Sequence, residues 1–231
     1  MTERPSRRVG IMGGSFDPVH YGHLVAAQEC LARLGLDQVL FVPAARSPLK
    51  PDRPLTAAVH RVAMVELAIA GNPRLCLSRV DLERPGPSYT VDMLAALRRE
   101  LGPAAELYLI VGMDSLRDLP AWHRPQEIIE QCRLAAVPRP GIHCNMDELE
   151  ARIPGVKAVL NMVPAPEIGI SSTEIQSRVR AGLPIRYQVP EAVERYIQEH
   201  GLYREGRDAG VQRCGGAGAS TPTPLPPSTP A

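Results

Sequence analysis

The sequence predicts an α/β protein built on a doubly wound parallel sheet with helices on both faces. Three observations carry that reading. Short aliphatic and β-branched runs recur along the chain, each apolar on both faces, as strands buried in a parallel sheet are. Longer stretches with helical spacing lie between them, so strand and helix alternate. A glycine-rich turn, GGSFDPVHYGHL at residues 13–24, directly follows the first run and leads into the first helix.

Taken in order, the strand-like runs are residues 8–12, 39–42, 75–78, 107–111, 134–137 and 158–162. Helical spacing covers 24–34, 57–70 and 91–101. Thr56 stands where it would cap the second of these helices, and Gly71, Asn72 and Pro73 stop it; Gly102 and Pro103 stop the third. After Met162 the pattern changes. A Ser-Ser-Thr cluster runs into a helix that ends near Gly182, and VPEAVERYIQEHGLY (189–203) gives another, with Pro190 in its first turn and Gly201 behind it. The whole reads as one Rossmann-like unit with a C-terminal helical portion over residues 1–204. Right-handed crossovers would place ligands beyond the carboxyl ends of the strands, at the switch point in strand order, where residues 13–24 fall. Residues 205–231 have no apolar period and are rich in Gly, Pro, Ser, Thr and Ala, the composition of a disordered tail. No internal repeat is visible.

The apolar fraction of 44% over 231 residues is enough for a real core. A net charge of +1 argues against a protein that coats nucleic acid, without excluding a small basic pocket. Cys30, Cys76, Cys132, Cys144 and Cys214 are odd in number and scattered, with no Cys-x-x-Cys, so neither a disulfide framework nor a zinc ribbon is expected. Cys30, Cys76 and Cys132 sit in apolar patterns and should pack as small hydrophobes. The N-terminal apolar run is short and broken by glycine, unlike a signal peptide or a membrane span. The expectation is a cytoplasmic protein with no membrane or nucleic-acid partner; a homo-oligomer is left open.

Two phosphate-binding patterns are absent: Gly-x-x-x-x-Gly-Lys-Ser/Thr and Gly-x-Gly-x-x-Gly. In their place, Gly13 and Gly14 let the backbone approach a ligand, and the following helix aims its positive end there. His20 and His23, three residues apart, share a face and can both donate to a single anion. An isolated His-x-x-His is more simply read as a turn whose imidazoles satisfy loop carbonyls. Zinc is less apt, since spacing places no third ligand. Ser171, Ser172 and Thr173 open the helix at 174–181 and would cap it whatever the function. Two helix N-termini suited to anions, one early and one late, together suggest a polyphosphate held between them.

Residues 13–24 resemble the Gly-x-Phe-Asp-Pro-x-His-x-Gly-His signature of the nucleotidyltransferase superfamily, and residues 170–173 resemble its Ile-Ser-Ser-Thr motif. SYTVDML (88–94), IVGMDSL (110–116), Trp122, RPG (139–141) and IRYQVPEAVERYI (185–197) complete an ordered series. That series is similar to the bacterial nicotinate-nucleotide adenylyltransferase family over nearly everything before the tail. The resemblance implies transfer of the adenylyl group of ATP to nicotinate mononucleotide, giving deamido-NAD and pyrophosphate by direct in-line attack. It also implies Mg²⁺ carried by the substrate phosphates, with no protein metal site. Catalytic roles would fall to His20, His23 and Lys50. Gly13, Gly14, Ser15, Phe16, Gly112, Asp114, Arg139, Ser171, Ser172 and Thr173 would surround ATP. Asp17, Ser88, Tyr89, Thr90, Trp122 and His123 would surround the mononucleotide.

Two positions depart from the family pattern. Leu49 precedes Lys50 where the family commonly has His, and Gln176 stands where Ile-Ser-Ser-Thr-x-Ile is often followed by Arg. Arg178, two residues on, falls on a different side of a helix. Pantetheine-phosphate adenylyltransferases and cytidylyltransferases share the first motif, and a noncatalytic nucleotide-binding module would share the fold. SYTVDML and Trp122 favour a pyridine nucleotide over the former. Donors aimed at a reacting phosphorus argue against the latter.

Overall fold

The computed structural model describes residues 7–46 and 55–204. Lys50, Leu49 and the tail beyond residue 204 therefore lie outside the described residues. Along the chain run β1 (Arg8–Gly14), α1 (Tyr21–Arg33), β2 (Gln38–Pro43), α2 (Ala58–Ile69), β3 (Leu75–Leu77) and α3 (Thr90–Leu101). Then follow β4 (Glu106–Gly112), α4 (Met113–Asp118), α5 (Pro125–Gln131), β5 (Arg133–Val137), α6 (Met146–Arg152) and α7 (Val156–Val159). β6 (Leu160–Met162), α8 (Ser172–Arg180) and α9 (Glu191–Glu199) complete the series.

All strand pairs are parallel, in the order β3-β2-β1-β4-β5-β6. The chain winds outward from β1 to β3, then returns to lay β4 on the other side of β1, with Ile11 opposite Leu40 on one flank and Leu109 on the other. That reversal is the switch point, and a crevice opens beyond the carboxyl ends of β1 and β4.

Strand alternation divides the core between the two sheet faces. Val9, Ile11, Leu40, Val42, Leu107, Leu109 and Leu134 face α3 and α5, where Leu94, Leu97 and Ile128 are buried. Val39, Phe41, Tyr108, Ile110 and Ala135 face the opposite way, against Cys30 of α1, Met64 of α2, Ile175 of α8 and Ile197 of α9. The C-terminal helical portion thus completes one face of the sheet. Gly10 is needed on β1 because a Cβ there would stand 2.9 Å from side-chain atoms of both Leu36 and Val39.

Three expectations are corrected. Residues 156–159 form a helical turn rather than the start of a strand, entered through Gly155 at φ +88°. Thr56 does not cap α2, whose N-cap is Ala57 with no side-chain bond. Its N–H instead donates to Asp17. Pro190 is the N-cap of α9, one residue before its first turn.

Candidate active site

A cleft of about 800 Å³ lies at the switch point, within the usual size of a small-molecule site. Its walls come from both halves of the sheet: the β1–α1 loop, the starts of α3 and α4, the loop after β5 and the start of α8. The helix N-termini there bring the positive ends of their dipoles to the cleft. Such a convergence suits a ligand with several negative charges.

His20 is the N-cap of α1, and His23 lies in its first turn. Their rings stack with centroids 3.8 Å apart. The His20 N–H donates to Nδ1 of His23 at 3.3 Å, which leaves the His23 proton on Nε2. His20 is 2% exposed, and its Nδ1 is buried with no hydrogen-bond partner among the described residues. Burial, reinforced by the charge of Arg139, pushes the His20 pKa down to about 4. Burial, then His20 and Arg139, holds His23 well below its ordinary value. Both imidazoles are neutral donors at neutral pH. A buried nitrogen left without a partner carries a free-energy cost that a bound anion can remove.

The late motif meets the early one directly. Ser171 caps α8 by accepting from the Glu174 N–H at 3.2 Å, and the Ser172 hydroxyl donates to the Pro18 carbonyl at 2.9 Å. The Ser172 hydroxyl joins the two motifs while Ser171 caps its own helix, so the start of α8 presents its backbone N–H groups toward the cleft. At the end of β4, Gly112 admits a close contact: a Cβ there would stand 2.5 Å from Oδ1 of Asp114 and 3.3 Å from Nε of Arg139. Asp114 and Arg139 pair at 3.5 Å beside it. On the far wall, Ser88 is clamped to Arg46, whose N–H donates to its hydroxyl at 2.9 Å. The rings of Tyr89 and His123 stack at 4.2 Å. Thr90 opens α3, which has no side-chain cap. Nε1 of Trp122 is buried with no partner among the described residues.

The structure thus gathers Gly13, Gly14, Ser15, His20, His23, Gly112, Asp114, Arg139, Ser171, Ser172 and Thr173 around one cleft, with Ser88, Tyr89, Thr90, Trp122 and His123 on its other side. Phe16 is not among the lining residues. At 1% exposure its ring lies beneath the loop, 5.4 Å from Phe41 and edge-on to His23 at 5.1 Å. Asp17 borders the cleft, but its carboxylate is turned inward. Oδ1 accepts from the Tyr203 hydroxyl at 2.6 Å and Oδ2 from the Thr56 N–H at 3.1 Å. Phe16 and Asp17 hold the loop from inside, because both side chains find their partners in the interior.

Sequence reasoning missed Arg61 and Tyr203. Arg61 is 1% exposed and donates from Nε to the Thr56 carbonyl and from NH1 to the Ser15 carbonyl, both at 2.8 Å. An arginine at the head of the apolar run 62–65 in a helical stretch was the available signal. Gln176 is buried rather than phosphate-facing at its amide, which donates to the Asp17 carbonyl at 2.6 Å. Arg178 turns away as its helical position requires, donating to the Pro184 carbonyl.

Residues 11–178 match the cytidylyltransferase-like family model. Over 197 residues the chain is 49% identical to a Thermomicrobium roseum protein named probable nicotinate-nucleotide adenylyltransferase, covering 85% of this chain and 92% of that one. A Saccharopolyspora erythraea protein of the same name is 46% identical over 207 residues, covering 89% of this chain and 94% of that one. Among solved structures, Plasmodium falciparum nicotinic acid mononucleotide adenylyltransferase complexed with NaAD matches with a TM-score of 0.70. The identity is 20%, over 85% of this chain and 97% of that one, a likeness of fold.

Proposed function

The chain belongs to the cytidylyltransferase-like family, and from that premise we infer that it is a nicotinate-nucleotide adenylyltransferase. It joins the adenylyl group of ATP to nicotinate mononucleotide, releasing pyrophosphate and forming deamido-NAD. The observation that carries the chemistry is the stacked His20–His23 pair at the start of α1, tied through Ser172 to the start of α8.

The mononucleotide phosphate is already anionic, so its oxygen attacks the α-phosphorus of ATP without a general base. Catalysis of this kind rests on positioning and charge stabilisation. Nε2–H of His23 and the single ring N–H of neutral His20 supply donors where negative charge develops. The first-turn N–H groups of α8 receive the departing pyrophosphate. Gly112 leaves room for the nucleoside beside Asp114 and Arg139. Trp122, Tyr89 and Thr90 frame the pyridine ring and its carboxylate.

The donor set fits a divalent cation that arrives with the triphosphate. Asp17 is held by Tyr203 and Thr56, and Asp81 accepts from the Ala45 N–H while facing Arg84 at 3.7 Å. With Asp114 paired to Arg139, the carboxylates bordering the cleft have partners within the protein. We propose Mg²⁺ bound chiefly to phosphate oxygens and water, as that ion prefers. Incubating the protein with ATP, Mg²⁺ and nicotinate mononucleotide and assaying deamido-NAD tests the assignment. Absence of product would refute it.

A further inference from the structure

The interior side of the β1–α1 loop holds a polar assembly that no step of the transfer uses. Asp17 lies three residues before His20, and it is 3% exposed. Its three oxygens are each engaged by a different part of the chain. Tyr203, beyond α9, donates to Oδ1 at 2.6 Å; the Thr56 N–H, before α2, donates to Oδ2 at 3.1 Å; Gln176, on α8, donates to the carbonyl at 2.6 Å. Arg61 closes the assembly, binding the Thr56 and Ser15 carbonyls at 2.8 Å each. Tyr203 is itself 3% exposed; its hydroxyl also meets the Thr56 side chain, and the Met64 sulfur lies 4.0 Å away. Satisfying a buried carboxylate needs donors of this number and closeness.

Every one of these bonds is accepted by a backbone carbonyl of Ser15, Asp17 or Thr56 or by the inward-turned carboxylate of Asp17. Their geometric effect falls on His20, whose ring is carried on the segment that begins at Asp17. Among the described residues no hydrogen bond holds its Nδ1, and the ring lies stacked on His23 of the same segment. Its place is therefore set by the backbone beneath it.

We propose that Tyr203, with Gln176, is a positioning residue for adenylyl transfer, acting through Asp17 on the His20–His23 pair. The inference rests on the transferase reading above. Tyr203 contributes its hydroxyl to fix Asp17, and Gln176 fixes the same residue from its carbonyl side. Without either, the loop stays folded on Phe16 while the imidazoles lose registry with the α-phosphate. Such misplacement acts on the transition state more than on ground-state binding.

The test compares Tyr203→Phe, Gln176→Leu and Tyr108→Phe with the wild-type protein, using ATP, Mg²⁺ and nicotinate mononucleotide well below each melting temperature. Tyr108 is a matched control: 2% exposed, donating to Glu106 at 3.1 Å and accepting from Arg8, at the opposite end of the sheet. Tyr203→Phe and Gln176→Leu should each lower kcat about ten- to a hundredfold, with KM for both substrates within about twofold of wild type. Tyr108→Phe should lower the melting temperature and leave kcat unchanged. Wild-type kcat in Tyr203→Phe, a loss confined to KM, or an equal kcat loss in Tyr108→Phe would overturn the proposal. If Tyr203→Phe does not fold, Gln176→Leu decides by the same criteria. An inert wild-type protein would overturn the transferase reading itself, which an active wild type with an unaffected Tyr203→Phe would not.

Discussion

Replacing His20 with glutamine should flatten the acid limb of the stability curve. His20 is 2% exposed, and burial followed by the charge of Arg139 pushes its pKa from 6.5 to about 4. Between those two values the unfolded chain binds a proton that the native protein does not. Stability therefore rises with pH across this window and is lost on acidification. One pKa unit corresponds to ~1.4 kcal/mol, so moving from about pH 7 to about pH 4.5 withdraws roughly 2 kcal/mol through this one group. That is a sizeable share of the ~5–15 kcal/mol holding a typical domain together. His23 is also held well below its ordinary value, by burial and then by His20 and Arg139, so it withdraws stability in the same direction in both proteins and the comparison isolates His20. Glutamine is polar, close in length and uncharged throughout. Urea titrations of both proteins at the two pH values give the comparison, with equal m-values confirming a common reference. The wild type should lose about 2 kcal/mol more than the variant on acidification. Parallel acid limbs would show that His20 is not a neutral group buried in the native state.

Further expectations concern the reaction. His20→Ala and His23→Ala should each lower kcat by ~10²–10³ with an unchanged circular dichroism spectrum, and full turnover in both would leave the imidazoles with a purely structural part. With ATP chiral at the α-phosphorus, one in-line displacement inverts configuration, whereas retention would indicate a covalent nucleotidyl-enzyme. Gly112→Ala puts a Cβ 2.5 Å from the Asp114 carboxylate and should raise KM for ATP by about tenfold or more; an unchanged KM would remove this turn from the nucleotide site. Nicotinate mononucleotide should be preferred over its amide counterpart by about a hundredfold in kcat/KM. The uncapped start of α3 and Trp122 Nε1, which has no partner among the described residues, offer donors to a carboxylate, and an amide NH₂ set against a donor costs ~1–3 kcal/mol. Equal efficiency would refute that pocket while leaving adenylyl transfer intact.

The sheet was readable because its strands are buried on both faces, so each leaves an uninterrupted apolar run such as Leu107–Leu109 or Leu134–Ala136. The helices α4, α5 and α6, of six or seven residues, span too few turns to show a period. Residue types around the cleft were visible as motifs, but their direction was not. Asp17 and Ser172 both carry oxygens suited to a ligand, yet each spends them within the protein, on partners 186 and 154 residues away in the chain. Nothing local distinguishes an inward carboxylate from an outward one; only the tertiary position of Tyr203 and Thr56 does.

Gln176 shows the same point from the other side. As a departure from the family pattern it reads as a missing arginine. In the fold it is 5% exposed, its amide donates to the Asp17 carbonyl, and its own oxygen accepts from Arg180 at 3.3 Å. An arginine there would add another guanidinium near Arg61, whose pKa burial already lowers, with the single carboxylate of Asp17 to offset both. Glutamine supplies the donor the loop needs without the charge. In this chain the position therefore tightens the loop that bears His20, and Arg139 remains the cation beside the histidines.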